Sequence, residues 1–266
     1  MLRARLATAA VAIPTLLFLI LYPSPWPLVA LIVAVAIVGL GEYATMAFPT
    51  RRAERVLTII LGTAVAVGAA LRAQAPQLFA LSIALTISVG LMWTLLGRAD
   101  FEDGLRDLGL ALVGLLYISV LLPHFIWLHG VELGPRWVVF VVAIGMAGDT
   151  GGYAVGHTLG RHKLMPRVSP GKTVEGAIGI VAVSLLTGAV CKLLFLHQVG
   201  WNEVLLLSTV MAVLGQLGDL CESVMKRTFG SKESGWLFPG HGGVLDRIDS
   251  LLFPVVFLYY YVSFSY

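Results

Sequence analysis

Long apolar stretches, each close to the length of a membrane-spanning helix, follow one another through almost the whole chain. A transmembrane α-helix needs about 20 mostly apolar residues to cross the hydrocarbon core of a bilayer. Because backbone polar groups must be satisfied inside lipid, such a pattern predicts an all-α polytopic membrane protein. Nine spans are expected, at about residues 6–22, 27–48, 55–71, 77–97, 107–128, 136–157, 175–196, 202–225 and 250–266.

The composition agrees with this class. Hydrophobic residues make up 58% of the chain and charged residues only 12%, whereas soluble domains carry about 25% charged residues. No small-residue cleavage site separates the basic N-terminus from the next apolar run, so we expect a retained first helix rather than a signal peptide. Cys191 and Cys221 both fall in apolar segments and are expected to be buried thiols. No dense basic run is interleaved with aromatics, so no nucleic-acid partner is expected.

Lysine and arginine predict the orientation. Cytoplasmic loops carry an excess of these residues. If the N-terminus is cytoplasmic, all of the 18 Lys and Arg residues lie on the inside except Arg72, Arg136 and Lys192. The chain is therefore predicted to run N-in, C-out, with two long cytoplasmic loops near 158–174 and 226–249.

Polar residues divide the chain into two predicted regions. Residues 1–130 hold about five plain spans, apart from Glu42. Residues 131–266 hold about four spans, the two cytoplasmic loops and most of the unusual polar residues. The C-terminal region is therefore the predicted catalytic region.

The first polar group is AGDTGGYAVGHTLGRHKLMPRVSPGKTVEG, residues 147–176. Asp149 lies inside a predicted span, where a charge normally faces the protein interior or a wet cavity. Ser169 and Thr173 precede the next helix and are candidate caps, and the amides of that helix can hold an anion. The alternative is a solvated basic loop beside anionic lipid headgroups.

The second group is a polar stripe on one predicted helix. Gln216, Asp219, Ser223 and Lys226 follow the spacing i, i+3, i+7 and i+10, with Glu222 beside them. In an apolar helix such a stripe must face a cavity or a polar partner. The alternative is a polar contact that only holds two helices together.

The third group is FPGHGGVLDRIDS, residues 238–250. Its glycines allow backbone amides to approach a phosphate, with His241 and Arg247 nearby. Asp246 and Asp249 share a helical face at i, i+3, and carboxylates together with substrate phosphates are ligands of Mg²⁺. In the alternative interpretation, Asp249 only complements a helix dipole and His241 has no special task.

All three groups lie at the predicted cytoplasmic ends of the last four spans. Carboxylates that hold a divalent metal, next to cations and amides that hold phosphates, describe a metal–phosphate site. This location predicts a cytosolic nucleotide as donor and a membrane lipid as acceptor.

These residues resemble a known family. Residues 223–249, SVMKRTFGSKESGWLFPGHGGVLDRID, are similar to the signature of the phosphatidate cytidylyltransferases, also called CDP-diacylglycerol synthases. SPGKTVEG, residues 169–176, resembles a second feature of that family, and the length and nine-span layout agree over the whole chain. Two positions depart from the family pattern: Glu233 replaces the usual aspartate, and Gly171 stands where a basic residue is common.

The resemblance implies a Mg²⁺-dependent reaction of CTP with phosphatidic acid that gives CDP-diacylglycerol and pyrophosphate. It implies an integral protein of a bacterial cytoplasmic membrane with its site facing the cytoplasm, and it is compatible with a homodimer. The predicted metal ligands, at a one- or two-ion site, are Asp219, Asp246, Asp249 and Asp149, the last as a ligand or as a support for one. The predicted catalytic residues are Asp219, Lys226, Asp246 and Asp249, and the predicted substrate-binding residues are Ser169, Lys172, Thr173, Ser223, Arg227, His241 and Arg247.

Two other functions stay open at this point. A CTP-dependent lipid kinase, for a polyprenol or phytol, would transfer the γ-phosphate to a hydroxyl. An ion-coupled transporter would use Asp149, Asp219 and Glu222 as an ion path, but no inverted repeat of the kind common in transporters is visible.

Overall fold

The computed structural model describes residues 13–97, 100–235 and 242–265. Residues 13–21 are helical. In these described ranges, eight further helical stretches are long and apolar enough to cross a membrane, and the chain is an integral membrane protein. The helices are α1 (Trp26–Ala47), α2 (Arg52–Ala70), α3 (Pro76–Gly97), α4 (Phe101–Leu115), α5 (His124–His129), α6 (Gly134–Leu159), α7 (Val174–Leu194), α8 (Trp201–Thr228) and α9 (Leu245–Ser265).

Most of the predicted spans match these helices within a few residues, but two begin earlier than hydropathy indicates. The predicted span 107–128 begins at Phe101, because the Asp100 carboxylate caps the helix by accepting from the amides of Glu102 and Asp103. Its single span is divided into α4, a π-helical turn at Leu116–Val120 and α5. The last helix begins at Leu245 rather than at 250, so its first turn carries polar residues.

The contacts divide the described chain into two compact units. One contains residues 13–23, 128–232 and 246–265, and the other contains residues 24–97, 100–127, 233–235 and 242–245. The domain boundary that we place near residue 130 from the sequence stays a prediction.

In the first unit, α6 and α7 pack through small residues. A Cβ atom on Gly176 would lie 3.0 Å from the carbonyl oxygen of Gly152, and one on Gly152 would lie 2.4 Å from the Ile180 side chain. Glycine therefore permits the close backbone approach that is common between membrane helices.

Between these two helices, the loop predicted at 158–174 contains an antiparallel strand pair, β1 (Lys163–Met165) and β2 (Ser169–Thr173). Thr173 pairs with Lys163 in the strands and then caps α7, since its hydroxyl accepts from the Gly176 amide at 3.0 Å. The hairpin therefore leads directly into the start of α7.

The second unit contains α1 to α4 and the first part of α5, which are joined by a few polar contacts. The Tyr43 hydroxyl donates to the Leu110 carbonyl at 2.8 Å, and the Trp127 indole donates to the Ala69 carbonyl at 2.8 Å. Arg51 forms an ion pair with Asp107.

The expectation for the two cysteines is half wrong. Cys191 is buried as expected, but Cys221 is exposed on α8. An apolar helix in a membrane protein can turn its apolar residues outward to lipid, so hydropathy alone does not identify the buried face.

Candidate functional site

The polar stripe of α8 makes its first contact with the β-hairpin. Lys172 of β2 places its ammonium group 2.7 Å from Oδ2 of Asp219. Ser223, one turn further along α8, donates to Oδ1 of the same carboxylate at 3.4 Å. Asp219 is thus contacted by two predicted substrate-binding residues, and the ion pair remains partly exposed, at 24% for Lys172 and 33% for Asp219.

The second contact of α8 is with α9. Lys226 donates to Oδ1 of Asp246 at 2.5 Å and also forms an ion pair with Glu222, one helical turn earlier. The side chain of Glu222 is only 1% exposed and that of Asp246 is 10% exposed. A single buried ammonium group therefore lies between two carboxylates.

The first turns of α9 lie close to α8 because of a glycine. A Cβ atom on Gly218 would lie 2.4 Å from the backbone carbonyl oxygen of Asp249. Asp249 itself is buried, and its Oδ1 accepts from the Ser250 amide at 2.7 Å. Any larger residue at position 218 would push apart the two helices that carry the predicted metal ligands.

Asp149 of α6 joins the same group through α9. Its Oδ2 accepts from the Ser250 hydroxyl at 3.0 Å. The charges of Asp219, Glu222 and Asp149 all act on Asp249. The carboxylates of α6, α8 and α9 therefore form one acidic cluster.

Cations from three elements balance this cluster. Lys172 of the hairpin and Arg247 of α9 both act electrostatically on Asp149. With Lys226 between Glu222 and Asp246, acidic and basic side chains alternate across the site. Such an arrangement can hold phosphate groups and a divalent cation together.

Arg227, Ser169 and Thr173 are placed differently from the core of the cluster. Arg227 donates to the Val168 carbonyl at 3.2 Å and to the Ser231 carbonyl at 3.0 Å, which fixes the hairpin against the end of α8. Ser169 lies in β2 and is partly buried. The Thr173 hydroxyl caps α7, so one of the two caps expected from the sequence is confirmed.

Of the predicted site residues, the structure brings together Asp149, Lys172, Asp219, Ser223, Lys226, Asp246, Arg247 and Asp249. His241 lies outside the described residues. The assignment of a particular chemical role to each of these side chains stays a prediction.

Three partners were missed from the sequence. Glu222 was seen beside the polar stripe but was not assigned to the site, although its spacing of four residues from Lys226 is a signal for an ion pair. Ser250, which donates to Asp149, is the last residue of the third polar group, and no spacing signal connects it to a residue 101 positions earlier. Glu175 accepts from the amides of Arg161 and His162 and from the His162 ring, which joins the hairpin to the start of α7.

The carboxylates of the acidic cluster are candidate ligands for a metal ion. Among the described residues, no three His, Cys, Asp or Glu side chains are arranged to hold a metal by themselves. Magnesium in nucleotide sites normally takes one or two carboxylates together with waters and substrate phosphates. Since Asp219 and Asp246 are carboxylates on facing helices beside the ammonium groups of Lys172 and Lys226, the donor set fits a Mg²⁺ ion that would bind together with phosphate groups.

Comparison with known proteins shows the family of the chain. Residues 3–265 match the model of the Cytidylyltransferase family. The chain is 35% identical over 174 residues to a phosphatidate cytidylyltransferase of Bacillus subtilis (strain 168), covering 65% of this chain and 64% of the relative. It is 42% identical over 147 residues to a protein of the same name from Brucella suis biovar 1 (strain 1330), covering 55% of this chain and 54% of that protein.

A third relative is the phosphatidate cytidylyltransferase of Staphylococcus epidermidis (strain ATCC 12228 / FDA PCI 1200), at 38% identity over 169 residues and 63% of both chains. The matched part of the chain thus spans less than two thirds of the length of these curated relatives.

Proposed function

Because the chain belongs to the Cytidylyltransferase family, we propose that it is a phosphatidate cytidylyltransferase. It would convert CTP and phosphatidic acid to CDP-diacylglycerol and pyrophosphate, in phospholipid biosynthesis. The names of the matched relatives support this activity, and they favour neither a lipid kinase nor a transporter.

One observation carries the proposal: two lysines from different elements each meet an aspartate at the same acidic cluster. Lys172 of the hairpin contacts Asp219, and Lys226 of α8 contacts Asp246 of α9. A polar contact that only joined two helices would not need a third element with its own cation. A site that joins two phosphate-bearing substrates does need cations on more than one side.

The proposed reaction does not need a strong general base. A phosphate monoester has a second pKa of about 6, so phosphatidic acid is largely ionised at neutral pH. Its oxygen attacks the α-phosphorus of CTP, a new P–O bond forms, and the bond from the α-phosphorus to the bridging oxygen of the leaving pyrophosphate breaks. The work of the protein is to bring two anions together and to balance charge on the α-phosphate and the leaving group.

The lysines of the site suit this work. The side chains of Lys172 and Asp219 keep part of their surface exposed, although the Lys172 ammonium nitrogen is itself buried. We propose that a substrate phosphate replaces Asp219 as the partner of Lys172, while Lys226 is held between Glu222 and Asp246. Asp219, Asp246 and Asp249 are the proposed ligands of Mg²⁺, with Asp149 beside them. When bound, the metal would neutralise phosphate charge and orient the two reacting groups.

The membrane setting follows from the substrates. CTP is soluble in the cytosol and phosphatidic acid lies in the bilayer, so a site at the cytoplasmic face of a bacterial inner membrane suits both. The excess of Lys and Arg in alternate loops supports the same N-in, C-out orientation.

The decisive experiment follows the label of CTP. Purified protein in detergent would be given phosphatidic acid, Mg²⁺ and CTP labelled at the α-phosphate. We expect the label in a lipid product, and label placed at the γ-phosphate should leave as pyrophosphate. Label that stays in soluble CDP and depends on a lipid alcohol would instead establish a kinase, and no turnover by folded protein would favour the transporter.

The matched variant is Asp246→Ala. It should abolish turnover while the protein stays in the membrane, because the site loses a carboxylate that contacts Lys226. Asp103→Ala, which removes an exposed aspartate from the first turn of α4, serves as the control and should keep normal turnover. Near-normal turnover in Asp246→Ala would remove this residue from the site.

A further inference from the structure

Glu42 is the one charged residue of α1, and the site described above does not use it. A carboxylate within a membrane-spanning helix is costly and normally has defined partners. The hydrogen-bond partners of Glu42 therefore indicate its role.

Three donors converge on this carboxylate. Oε1 accepts from the Val244 amide at 2.9 Å, and Oε2 accepts from the Leu245 amide at 3.0 Å. Oε2 also accepts from the Ser234 hydroxyl at 3.1 Å. Hydrogen bonds to a charged acceptor are about twice as strong as neutral ones, so this is a firm connection between α1 and two short segments of the chain.

Glycines let these segments approach the carboxylate. A Cβ atom on Gly235 would lie 2.5 Å from Oε1 of Glu42. One on Gly243 would lie 2.4 Å from Oε2 and 2.3 Å from the Ser234 hydroxyl. Contacts this short would force the Glu42 carboxylate or the Ser234 hydroxyl to move, so glycine at both positions lets these groups keep their present arrangement. Ser234 is itself buried, at 5% exposure.

The two amides belong to the start of α9, which begins at Leu245. The first amides of a helix have no partner within the helix, and a negative charge there is favourable. A cap normally comes from a residue next to the helix in sequence, but Glu42 is 203 residues away from Leu245. It therefore fixes the start of α9 to α1 as well as satisfying its amides.

We propose that Glu42 is a positioning residue for the transfer reaction, which caps the start of α9 and thereby sets the direction of Asp246. Asp246 follows Leu245 directly in the chain, and Asp249 follows one turn later. A small rotation of the first turn of α9 would move both carboxylates. This inference rests on the proposed function, since it concerns the turnover of CTP and phosphatidic acid.

The test compares Glu42→Gln with the matched control Glu203→Gln. Glu203 lies in the first turn of α8 and accepts from the Tyr261 hydroxyl of α9 at 3.2 Å, so it too is a helical glutamate that contacts α9. Three quantities would be measured for each purified variant: kcat and KM for CTP, the thermal midpoint, and hydrogen exchange of the Val244 and Leu245 amides.

Glu42→Gln places an amide donor where the carboxylate accepted. We expect kcat to fall about 10- to 100-fold, as for a displaced reacting group. KM for CTP should change less than about threefold, because the Glu42 carboxylate is occupied by Ser234, Val244 and Leu245 and is not a proposed nucleotide-binding group. The two amides should exchange faster. Glu203→Gln should leave kcat and both amides unchanged.

A Glu42→Gln protein with normal kcat and slow exchange would overturn the inference, and so would a fall in thermal midpoint with normal kcat in the folded fraction. If Glu42→Gln does not fold, Ser234→Ala is the second test of the inference. It removes the hydroxyl donor to Glu42 and leaves the Glu42 carboxylate and the Val244 and Leu245 amides in place. A fall in its kcat supports the inference and an unchanged kcat overturns it. Wild-type protein that makes no CDP-diacylglycerol would refute the proposed function instead, and amide exchange alone would then show whether Glu42 caps α9.

Discussion

Lys172 and Lys226 each pair with an aspartate in the same acidic cluster, but in different surroundings. Lys172 and Asp219 keep 24% and 33% of their side-chain surface exposed. Lys226 and Glu222 keep 10% and 1%, and Asp246 keeps 10%. The first pair is partly open through Asp219 and the lysine stem, although the Lys172 ammonium nitrogen is buried, and the second group is closed.

This difference in exposure gives the two lysine–carboxylate ion pairs different functions. A partly exposed ion pair is worth little to stability, about 0–1 kcal/mol, so a substrate phosphate can replace one partner at small cost. A buried group that loses its cation leaves uncompensated charges behind, which costs about 3–5 kcal/mol. Lys172 is therefore suited to exchange partners during turnover, and Lys226 is suited to hold α8 and α9 in place.

Replacing Lys226 should have the largest effect on stability. Lys226→Ala leaves Glu222 and Asp246 buried without their shared cation, and we expect the free energy of unfolding to fall by about 3–5 kcal/mol. Activity should be lost as well. Unfolding in mixed detergent would measure the first effect and CTP turnover the second.

The control is Lys163→Ala, which removes an exposed lysine of β1. It should change stability far less. Adding Glu222→Gln to Lys226→Ala should recover part of the lost stability, because one buried charge is removed. A Lys226→Ala protein as stable as the control would mean that the buried group does not hold the helices.

Lys172→Ala should separate stability from activity. The ion pair with Asp219 is partly exposed, so the free energy of unfolding should change by less than about 1 kcal/mol. The value of kcat/KM for CTP should fall by about 10- to 100-fold if the ammonium group binds a phosphate. If Lys172→Ala lost as much stability as Lys226→Ala, the conclusion that only Lys226 stabilises the fold would be wrong.

Replacing Thr173 should have the smallest effect on stability. The same variants test whether Thr173 only caps α7 or also binds substrate. Its hydroxyl caps α7 by accepting from the Gly176 amide, and Thr173→Ala should cost about 1 kcal/mol. Thr173→Ser keeps the hydroxyl and should restore the thermal midpoint. If kcat/KM for CTP falls in the alanine variant by far more than this stability loss explains, Thr173 also contacts substrate.

The polar groups of the site could be found from the sequence because each is a cluster of polar residues within a short stretch of an otherwise apolar chain. The spacing of Asp219, Ser223 and Lys226 predicts one helical face. In the structure Asp219 contacts Lys172 of the hairpin, Ser223 contacts Asp219, and Lys226 contacts Asp246 of α9. Asp246 and Asp249 were expected at a helix start, and α9 begins at Leu245. The hairpin within the predicted 158–174 loop was missed, because three- and five-residue strands leave almost no periodic signal.

The sequence by itself determined the class of the protein, the approximate positions of its membrane helices and which stretches carry its polar groups. Hydropathy, charge and spacing are properties of neighbouring residues, so they can be read before any folding is known. Only the tertiary structure decided that Lys226 lies between Glu222 and Asp246, and that Glu42 meets Leu245 across 203 residues. Such contacts depend on how helices that are far apart in sequence pack against each other, and the spacing of neighbouring residues carries no information about that packing.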